Sequence, residues 1–280
     1  MSRASPTSRA SPNPGASAMS HASLQHALRA RQPSVGCWLV QASAANAEAL
    51  AYCGFDWLLI DQEHAPNTSA DLLAQVRAID AARAHGACVS VVARMPGHEP
   101  GPIRTAMDCG VSNLMFPAVE SAAQARAVAS AMRYPLDGNG GRRGVAGVVR
   151  AARYGLDDGF LAAANQQACT IVQIETAQGV RNAREIAAVA GVDCLFIGPA
   201  DLGASLGHPG DPAHPAVREA LAAVRAAADA AGKALGMFAL DAQQALQYRR
   251  EGFHMIALHS DLAWLTRGAR AALEPWRAGA

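Results

Sequence analysis

The sequence lacks the features that mark membrane proteins and nucleic-acid-binding proteins. No apolar run approaches the roughly 18 residues that a membrane-spanning helix needs. The 24 Lys and Arg residues nearly balance the 23 Asp and Glu residues, which gives a net charge of +1. A nucleic-acid-binding surface would require a clear basic excess. We therefore expect neither a membrane nor a nucleic acid as a partner.

The sequence also lacks the cysteine spacing of a disulfide framework or a zinc site. None of its six cysteines is in C-x-x-C spacing. Four of them, Cys37, Cys88, Cys169 and Cys194, lie in apolar runs of strand length. This pattern is typical of reduced thiols in the core of a cytoplasmic protein.

The first 22 residues contain too few apolar side chains to form a core. They are rich in Ser, Ala, Pro and Arg, and S-R-A-S-P occurs twice. We expect a disordered extension over residues 1–22. A transit peptide, or an extension upstream of a second start at Met19, is the alternative. Residues 23–280 are expected to form a single domain.

Strand and helix patterns alternate through the rest of the chain. Eight apolar runs of strand length lie near residues 35, 57, 88, 113, 169, 193, 234 and 254, and segments with helical periodicity separate them. Continuously apolar strands are buried on both faces. Eight such units in about 250 residues predict a (β/α)8 TIM barrel, an α/β fold. A doubly wound open sheet is the alternative, but no G-x-G-x-x-G follows the first strand.

The stretch from Cys169 to Gly207 places two acids at neighbouring strand ends. C-T-I-V-Q-I-E ends on Glu175, a helical pattern closes at Gly191, and D-C-L-F-I-G-P-A-D ends on Asp201. Parallel neighbouring strands end at the same rim, so the carboxylates should emerge side by side. Two carboxylates there repel unless they share a proton or a cation, and oxygen ligands suit Mg²⁺ or Mn²⁺ better than Zn²⁺. Alternatively, each acid only caps the following helix.

Other polar residues also end predicted strands, where TIM barrels carry their chemistry. His64 follows the second strand with Asp61 and Glu63, Arg94 ends the third, and Gln173 lies just before the end of the fifth. A histidine in this position can exchange protons near neutral pH. Arg94 could stabilise an oxyanion or instead form a salt bridge with Asp61.

Three further features of the sequence bear on the predicted site. Asp108 ends a helix, and its pattern is that of a solvated surface acid. The backbone amides of Ala200 and Asp201 lie where a helix begins, which is a ready anion site. The Gly-rich, basic loop at residues 137–147 could be a lid, a phosphate clamp or a flexible insertion, and we favour the last interpretation.

Three motifs in the same order, I-D-Q-E-H-A-P-N, V-Q-I-E-T and F-I-G-P-A-D-L, resemble the HpcH/HpaI aldolase family. The similarity runs from about Leu24 to the C-terminus and is greatest to the class II pyruvate aldolases of the 4-hydroxy-2-oxoheptanedioate type. The resemblance implies a metal-dependent carbon–carbon lyase. Its reaction would be the reversible cleavage of a 4-hydroxy-2-oxo acid to pyruvate and an aldehyde.

The resemblance also implies a ligand set for the metal and the keto acid. Glu175 and Asp201 would hold Mg²⁺, Mn²⁺ or Co²⁺. Gln173 and the amides of Ala200 and Asp201 would position pyruvate.

Three charged or titratable residues take catalytic roles by the same resemblance. Arg94 would stabilise the enolate and the aldehyde-derived alkoxide, and His64 would be the general base. Asp108 would raise the basicity of that histidine across a subunit boundary. The family implies a homo-oligomer, typically a hexamer, in which the last helix is exchanged between protomers.

The sequence departs from the family pattern at two places beside the expected site. Gln62 replaces the usual glycine and is expected to crowd the mouth near His64, and the loop after Tyr134 is about three residues longer than usual. A rival function is a CoA-ester lyase of the citramalyl or malyl type, which needs a basic groove suggested only by Arg142 and Arg143. A non-catalytic barrel that binds a keto acid is the other alternative.

Overall fold

The computed structural model describes residues 23–136 and 138–279. The extension at residues 1–22 lies outside the described residues, so its expected disorder stays a prediction. Eight parallel strands pair in chain order, and β1 closes the barrel against β8. The strands are β1 Ser34–Leu39, β2 Trp57–Asp61, β3 Ser90–Arg94, β4 Asn113–Phe116, β5 Cys169–Ile174, β6 Val192–Ile197, β7 Ala234–Ala239 and β8 Met255–Ser260. The predicted (β/α)8 barrel is therefore confirmed.

Helices follow the strands around the barrel, and several begin at a Ser, Thr or Asp whose side chain accepts a backbone N–H. They are α1 Leu24–Arg29, α2 Ala44–Ala51, α3 Ser69–Ala84, α4 Pro100–Asp108, α5 Ala122–Ala131, α6 Phe160–Gln167, α7 Ala177–Arg181, α8 Ala183–Ala187, α9 Pro199–Ser205, α10 Pro215–Ala230, α11 Ala242–Arg250 and α12 Asp261–Ala278. None of the described helices is both long and apolar enough to cross a membrane.

Two glycines allow aromatic side chains to fill the barrel interior. A Cβ added at Gly36 would lie 2.0 Å from the ring of Trp57, and one at Gly236 would lie 2.3 Å from the ring of Phe196. Both rings are buried and pack with Trp38 inside the barrel. The interior is thus a solid apolar core, which leaves polar chemistry to the strand ends.

The cysteine prediction is confirmed for three residues and wrong for one. Cys37, Cys169 and Cys194 are buried, and all six cysteines are free. Cys88 is exposed, because β3 begins only at Ser90 and Cys88 lies in the connection before it, where Val89 is the buried residue.

The last helix does not cover its own barrel. Along α12 only Asp261 is buried, and Leu262, Leu265, Leu273 and Trp276 are exposed, Trp276 to 80%. A cleft of about 470 Å³ remains beside α11, lined in part by Ala245, Leu246, Ile256 and Leu258. Among the described residues of one chain, nothing therefore covers the apolar side of α12 or this apolar cleft.

Candidate active site

The barrel brings the polar residues from the strand ends to one mouth. Asp61 and Arg94 are register partners at the ends of β2 and β3. Glu175 directly follows β5, and Asp201 lies in the first turn of α9, just after β6. Because all eight strands are parallel, their carboxyl ends open on the same side of the barrel.

Two acids clamp Arg94 in this mouth. Its Nε and Nη2 donate to the two Asp61 oxygens at 2.8 and 2.6 Å, and its Nη1 lies 2.9 Å from Glu63 Oε2. Burial alone would lower the pKa of Arg94, but the hydrogen bond and charge of Asp61, with Glu63 and Glu175 adding to them, raise it. The salt bridge considered from the sequence exists, and it fixes a permanent cation at the site. A guanidinium has more N–H groups than the three used here, so donors remain for a ligand.

Glu175 is buried and held from two sides. Its Oε1 accepts the Ala118 N–H at 2.7 Å, and its Oε2 accepts from Gln173 Nε2 at 2.9 Å. A Cβ at Gly198 would lie 2.2 Å from Glu175 Oε2, so only glycine lets β6 pass this close to the carboxylate. Burial raises the pKa of Glu175 to about 7 against the opposing Ala118 hydrogen bond, and the charge of Asp201 adds to the rise.

Negative charge exceeds positive charge among these residues. Asp201 is exposed, and its charge contributes to raised pKa values at both Glu63 and Glu175, for which burial is the larger cause. Together with Asp61, these four carboxylates face a single guanidinium. Such a set favours either a bound cation or a shared proton.

The donor set fits a hard divalent cation with an incomplete protein shell. The part of the chain that the structure describes contains no cluster of three or more His, Cys, Asp or Glu residues able to hold a metal. Glu175 and Asp201 would instead provide two carboxylates, as is usual for Mg²⁺, which keeps waters and takes further oxygens from its substrate. The Oε1 of Gln173 is buried and has no hydrogen-bond partner among the described residues. This oxygen can therefore accept a hydrogen bond from a ligand or coordinate a bound cation.

The beginning of α9 supplies free amides next to the acids. The first N–H bonded within the helix is that of Leu202, which donates to Gly198 O at 2.9 Å. The amides of Ala200 and Asp201 precede it and have no intrahelical acceptor. They can therefore bind an anionic group such as a carboxylate.

Comparisons with known proteins identify the family of this chain. Residues 34–267 match the family model for HpcH/HpaI aldolase/citrate lyase. The chain is 48% identical to a hydroxypyruvate/pyruvate aldolase of Paraburkholderia phytofirmans over 91% of this chain and 97% of that protein. It is 40% identical to a 4-hydroxy-2-oxovalerate aldolase of Novosphingobium aromaticivorans over 91% and 94%. A crystal structure of an HpcH/HpaI family protein from Burkholderia cenocepacia superposes with a TM-score of 0.88 at 47% identity, over 91% of this chain and 99% of that one.

The chain belongs to the HpcH/HpaI aldolase/citrate lyase family. This membership makes it a carbon–carbon lyase, as the resemblance of the three motifs implied.

His64 lies at the open side of the mouth. Its side chain is 65% exposed, and its Nε2 lies 3.9 Å from Glu63 Oε1. The Asp61 Oδ1 atom accepts the backbone N–H groups of Glu63 and His64 at 3.0 and 3.4 Å, which shapes the loop. Gln62 turns its amide to Asn67 O, at 3.4 Å, so its side chain is tied to the loop. The imidazole of His64 is therefore accessible to a substrate bound at the mouth of the barrel.

The interpretation of Asp108 as a solvated surface acid is wrong. Its Oδ1 accepts from Arg143 Nη2 at 2.7 Å, and Arg143 is buried with its guanidinium carbon 4.4 Å above the Tyr134 ring. The loop after α5 folds its arginine inward onto the end of α4, which the sequence pattern could not show. Arg143 is therefore unavailable for the CoA phosphates that the rival lyase would bind. Asp108 makes no hydrogen bond with His64 among the described residues of this chain.

Several groups that build the site were missed by sequence reasoning. Ala118 adopts a left-handed conformation with φ of 47° while its N–H holds Glu175, and nothing in its residue type signals this. Asn67 is buried and donates to Asp61 O at 2.7 Å, which anchors the loop that carries His64. Gly198 lies in the motif F-I-G-P-A-D-L, between the end of β6 and Asp201. This position was the signal in the sequence that could have identified it.

Proposed function

We propose that this protein catalyses the metal-dependent, reversible cleavage of 4-hydroxy-2-oxo acids to a 2-oxo acid and an aldehyde. The observation that carries the proposal is the acid-rich mouth, in which the charge of Asp201 acts on Glu175 and Glu175 accepts from Gln173, whose Oε1 has no hydrogen-bond partner among the described residues. Relatives named hydroxypyruvate/pyruvate aldolase and 4-hydroxy-2-oxovalerate aldolase support pyruvate, and also hydroxypyruvate, as the oxo acid. The six free thiols support a reducing, cytoplasmic location.

The carboxylates and amides at the end of β5 and the beginning of α9 would bind the cation and the oxo acid. Glu175 and Asp201 would hold Mg²⁺, Mn²⁺ or Co²⁺. A divalent cation bound there supplies Lewis acidity to the 2-keto group. Gln173 and the amides of Ala200 and Asp201 would position the keto acid, since the Gln173 Oε1 has no partner among the described residues and the two amides have no intrahelical acceptor.

Proton transfer would fall to His64 and charge stabilisation to Arg94. In cleavage, His64 takes the proton of the 4-hydroxyl group as the C3–C4 bond breaks and the aldehyde forms. The electrons of that bond move into the 2-oxo acid, and the fixed guanidinium of Arg94 stabilises the enolate charge. Protonation at C3 then releases pyruvate. In the reverse direction, Arg94 stabilises the alkoxide that develops on the aldehyde.

A Schiff-base mechanism has no suitable lysine at this mouth. The sequence contains one lysine, Lys233. It directly precedes β7, and its Nζ donates to Val192 O at 2.8 Å, at the opposite end of the barrel. The oxo acid must therefore be activated without a covalent link to lysine.

A homo-oligomer with exchanged C-terminal helices, of the hexameric kind, would cover the surfaces that one chain leaves open. The apolar residues of α12 would enter the apolar cleft beside α11 of a neighbouring copy. In such an assembly Asp108, held by Arg143, would face the His64 of another protomer and raise its basicity. Both parts of this proposal rest on the uncovered surfaces and on the family resemblance.

The activity test is pyruvate release from a panel of 4-hydroxy-2-oxo acids, run beside citramalyl-CoA and malyl-CoA. We expect cleavage of the oxo acids alone, because the one buried arginine of the loop is engaged by Asp108. Cleavage of the CoA esters alone would contradict the proposal. Binding of pyruvate without any cleavage or proton exchange would instead indicate a non-catalytic barrel.

A further inference from the structure

A second cleft on the outside of the barrel gathers arginines that the proposed reaction does not use. It has a volume of about 680 Å³ and lies between α5, α8 and the loop after α5. Arg126, Arg133 and Arg142 line it, and Glu185 is the acid among its lining residues. This volume is within the range of small-molecule sites, about 300–1,000 Å³.

The cleft lies at the end of the barrel away from the mouth. Arg133 donates to Ala168 O at 3.3 Å and to Gly191 O at 3.1 Å. These residues directly precede β5 and β6, whereas Glu175 and Asp201 follow the same two strands. A ligand in the cleft would therefore not compete with the substrate of the mouth.

A basic residue is often found at the C-terminal end of a helix, where the helix dipole is negative. This preference accounts for the position of only one of the three arginines. Arg133 donates to Ala129 O at 2.8 Å near the end of α5, which is a common place for a cation. Arg126 lies within α5 and Arg142 in a loop, and both are exposed. Neither forms an ion pair with an acidic side chain among the described residues. Two cations thus open on this cleft with no counter-charge engaged.

The loop that carries Arg142 is held against α5. Its Gly141 N–H donates to Asn139 Oδ1 at 2.8 Å, and the Arg142 N–H donates to Ser130 O at 2.8 Å. A Cβ at Gly141 would lie 2.3 Å from Tyr134 O, so the loop can pack this closely only with glycine there. This part of the loop is fixed by its contacts and is not the flexible insertion that we favoured from the sequence.

We propose that this cleft binds a small, multiply charged oxyanion, such as a phosphate ester. Guanidinium groups bind phosphate and carboxylate oxygens through paired N–H donors. Arg142 and Arg126 would supply movable donors, and the anchored Arg133 would add a fixed positive charge. The chain has a net charge of only +1, and these three arginines line a single cleft and not an extended surface. Both features favour a small anion over a nucleic acid as the ligand.

Isothermal titration of the assembled, Mg²⁺-loaded protein at low salt tests this site. The probes are glycerol 3-phosphate and glutarate, which separate a phosphate source from a dicarboxylate source. The variant is Arg126→Gln with Arg142→Gln. The matched control, Arg218→Gln with Arg250→Gln, removes the same charge from exposed residues outside the cleft. Pyruvate-forming activity is expected to be unchanged in both double variants.

Binding of either probe should weaken roughly tenfold or more in the cleft variant, because two charge-assisted contacts are lost. The control variant should bind within about twofold of the unaltered protein, the change expected from screened long-range charge alone. Equal weakening in both variants, or no weakening in the cleft variant, would overturn the proposal. So would the absence of binding to the unaltered protein at millimolar probe concentrations.

Discussion

At the scale of single residues, Glu175 determines how the mouth responds to protons. Its burial and the nearby Asp201 raise its pKa to about 7, so the carboxyl group is protonated below neutral pH when no cation is present. A proton and a cation then compete for the same oxygens. An exposed carboxylate of ordinary pKa is already deprotonated near neutral pH, so there a proton does not compete with the cation for its oxygens.

Metal affinity should therefore fall as pH is lowered through 7. We expect the Kd for Mn²⁺ to rise by roughly tenfold for each pH unit below about 7, since one proton must leave Glu175 for each ion bound. Titration calorimetry at pH 5.5, 6.5 and 8 measures it. A Kd that stays constant over this range would show that Glu175 is not a ligand.

We expect His64 to contribute to turnover and not to the binding of the metal or of pyruvate. His64→Ala is expected to keep Mn²⁺ and pyruvate affinity and to lose about 10²- to 10⁴-fold in kcat, as for a general base. Steady-state kinetics and pyruvate titration measure the two effects. His85→Ala, at the exposed end of α3, is the control and should behave as the unaltered protein. Loss of pyruvate binding in the His64 variant would assign it a binding role instead.

The single lysine gives a second test at this scale. Borohydride treatment in the presence of pyruvate should neither inactivate the protein nor add mass to it, because Lys233 lies away from the mouth. Mass spectrometry of the treated protein checks this. A pyruvate-derived adduct on Lys233 would contradict the proposed route.

At the scale of elements, the junction of β6 with α9 brings the two proposed metal ligands, Glu175 and Asp201, close enough for the charge of one to raise the pKa of the other. Gly198→Ala would place a methyl group 2.2 Å from Glu175 Oε2 and 2.9 Å from its Cβ. We expect the barrel to fold and Mn²⁺ affinity to fall at least tenfold, because displacement of the carboxylate breaks the ligand geometry. Gly97→Ala, which meets no atom within 4 Å, should bind normally. Unchanged Mn²⁺ binding in the Gly198 variant would argue against this ligand.

Sequence patterns predicted the strands better than the segments between them. Most positions within the strands are apolar and buried, and polar residues such as Thr170, Gln173 and Asp193 stand singly among them, so the pattern indicates both the burial of the strands and their order along the chain. The helix expected to close at Gly191 divides at Asn182, whose side chain donates to Glu120 O at 2.6 Å and competes with helix geometry. Helix α6 was missed. The inward position of Arg143 could not be predicted because it depends on distant partners.

The candidate site residues could be singled out in the sequence for a related reason. Arg94 stands out because it ends an apolar strand, and Glu175 and Asp201 stand out because each follows one. The Ala118 amide that holds Glu175 has no such signature, since its role comes from backbone geometry alone. The role proposed for Asp108 depends on a second subunit, so the contacts within one chain do not test it.

At the scale of the whole molecule, the uncovered α12 and the cleft beside α11 predict an exchanged oligomer. Leu265→Glu with Trp276→Glu should dissociate it, because two exposed apolar side chains of α12 would become charged where burial is expected. Light scattering coupled to size exclusion gives the mass. Arg270→Glu, a change at an exposed charged position of the same helix, should leave the assembly intact. A monomeric unaltered protein would contradict the exchange.

Proton exchange at the methyl group of pyruvate tests the central claim most directly, because it needs no knowledge of the aldehyde. In D₂O, the Mg²⁺-loaded protein should replace the methyl protons, as followed by NMR. Chelator-treated protein and Glu175→Gln should not, and added Mg²⁺ should restore the former alone. Exchange at an undiminished rate after complete metal removal would contradict the account.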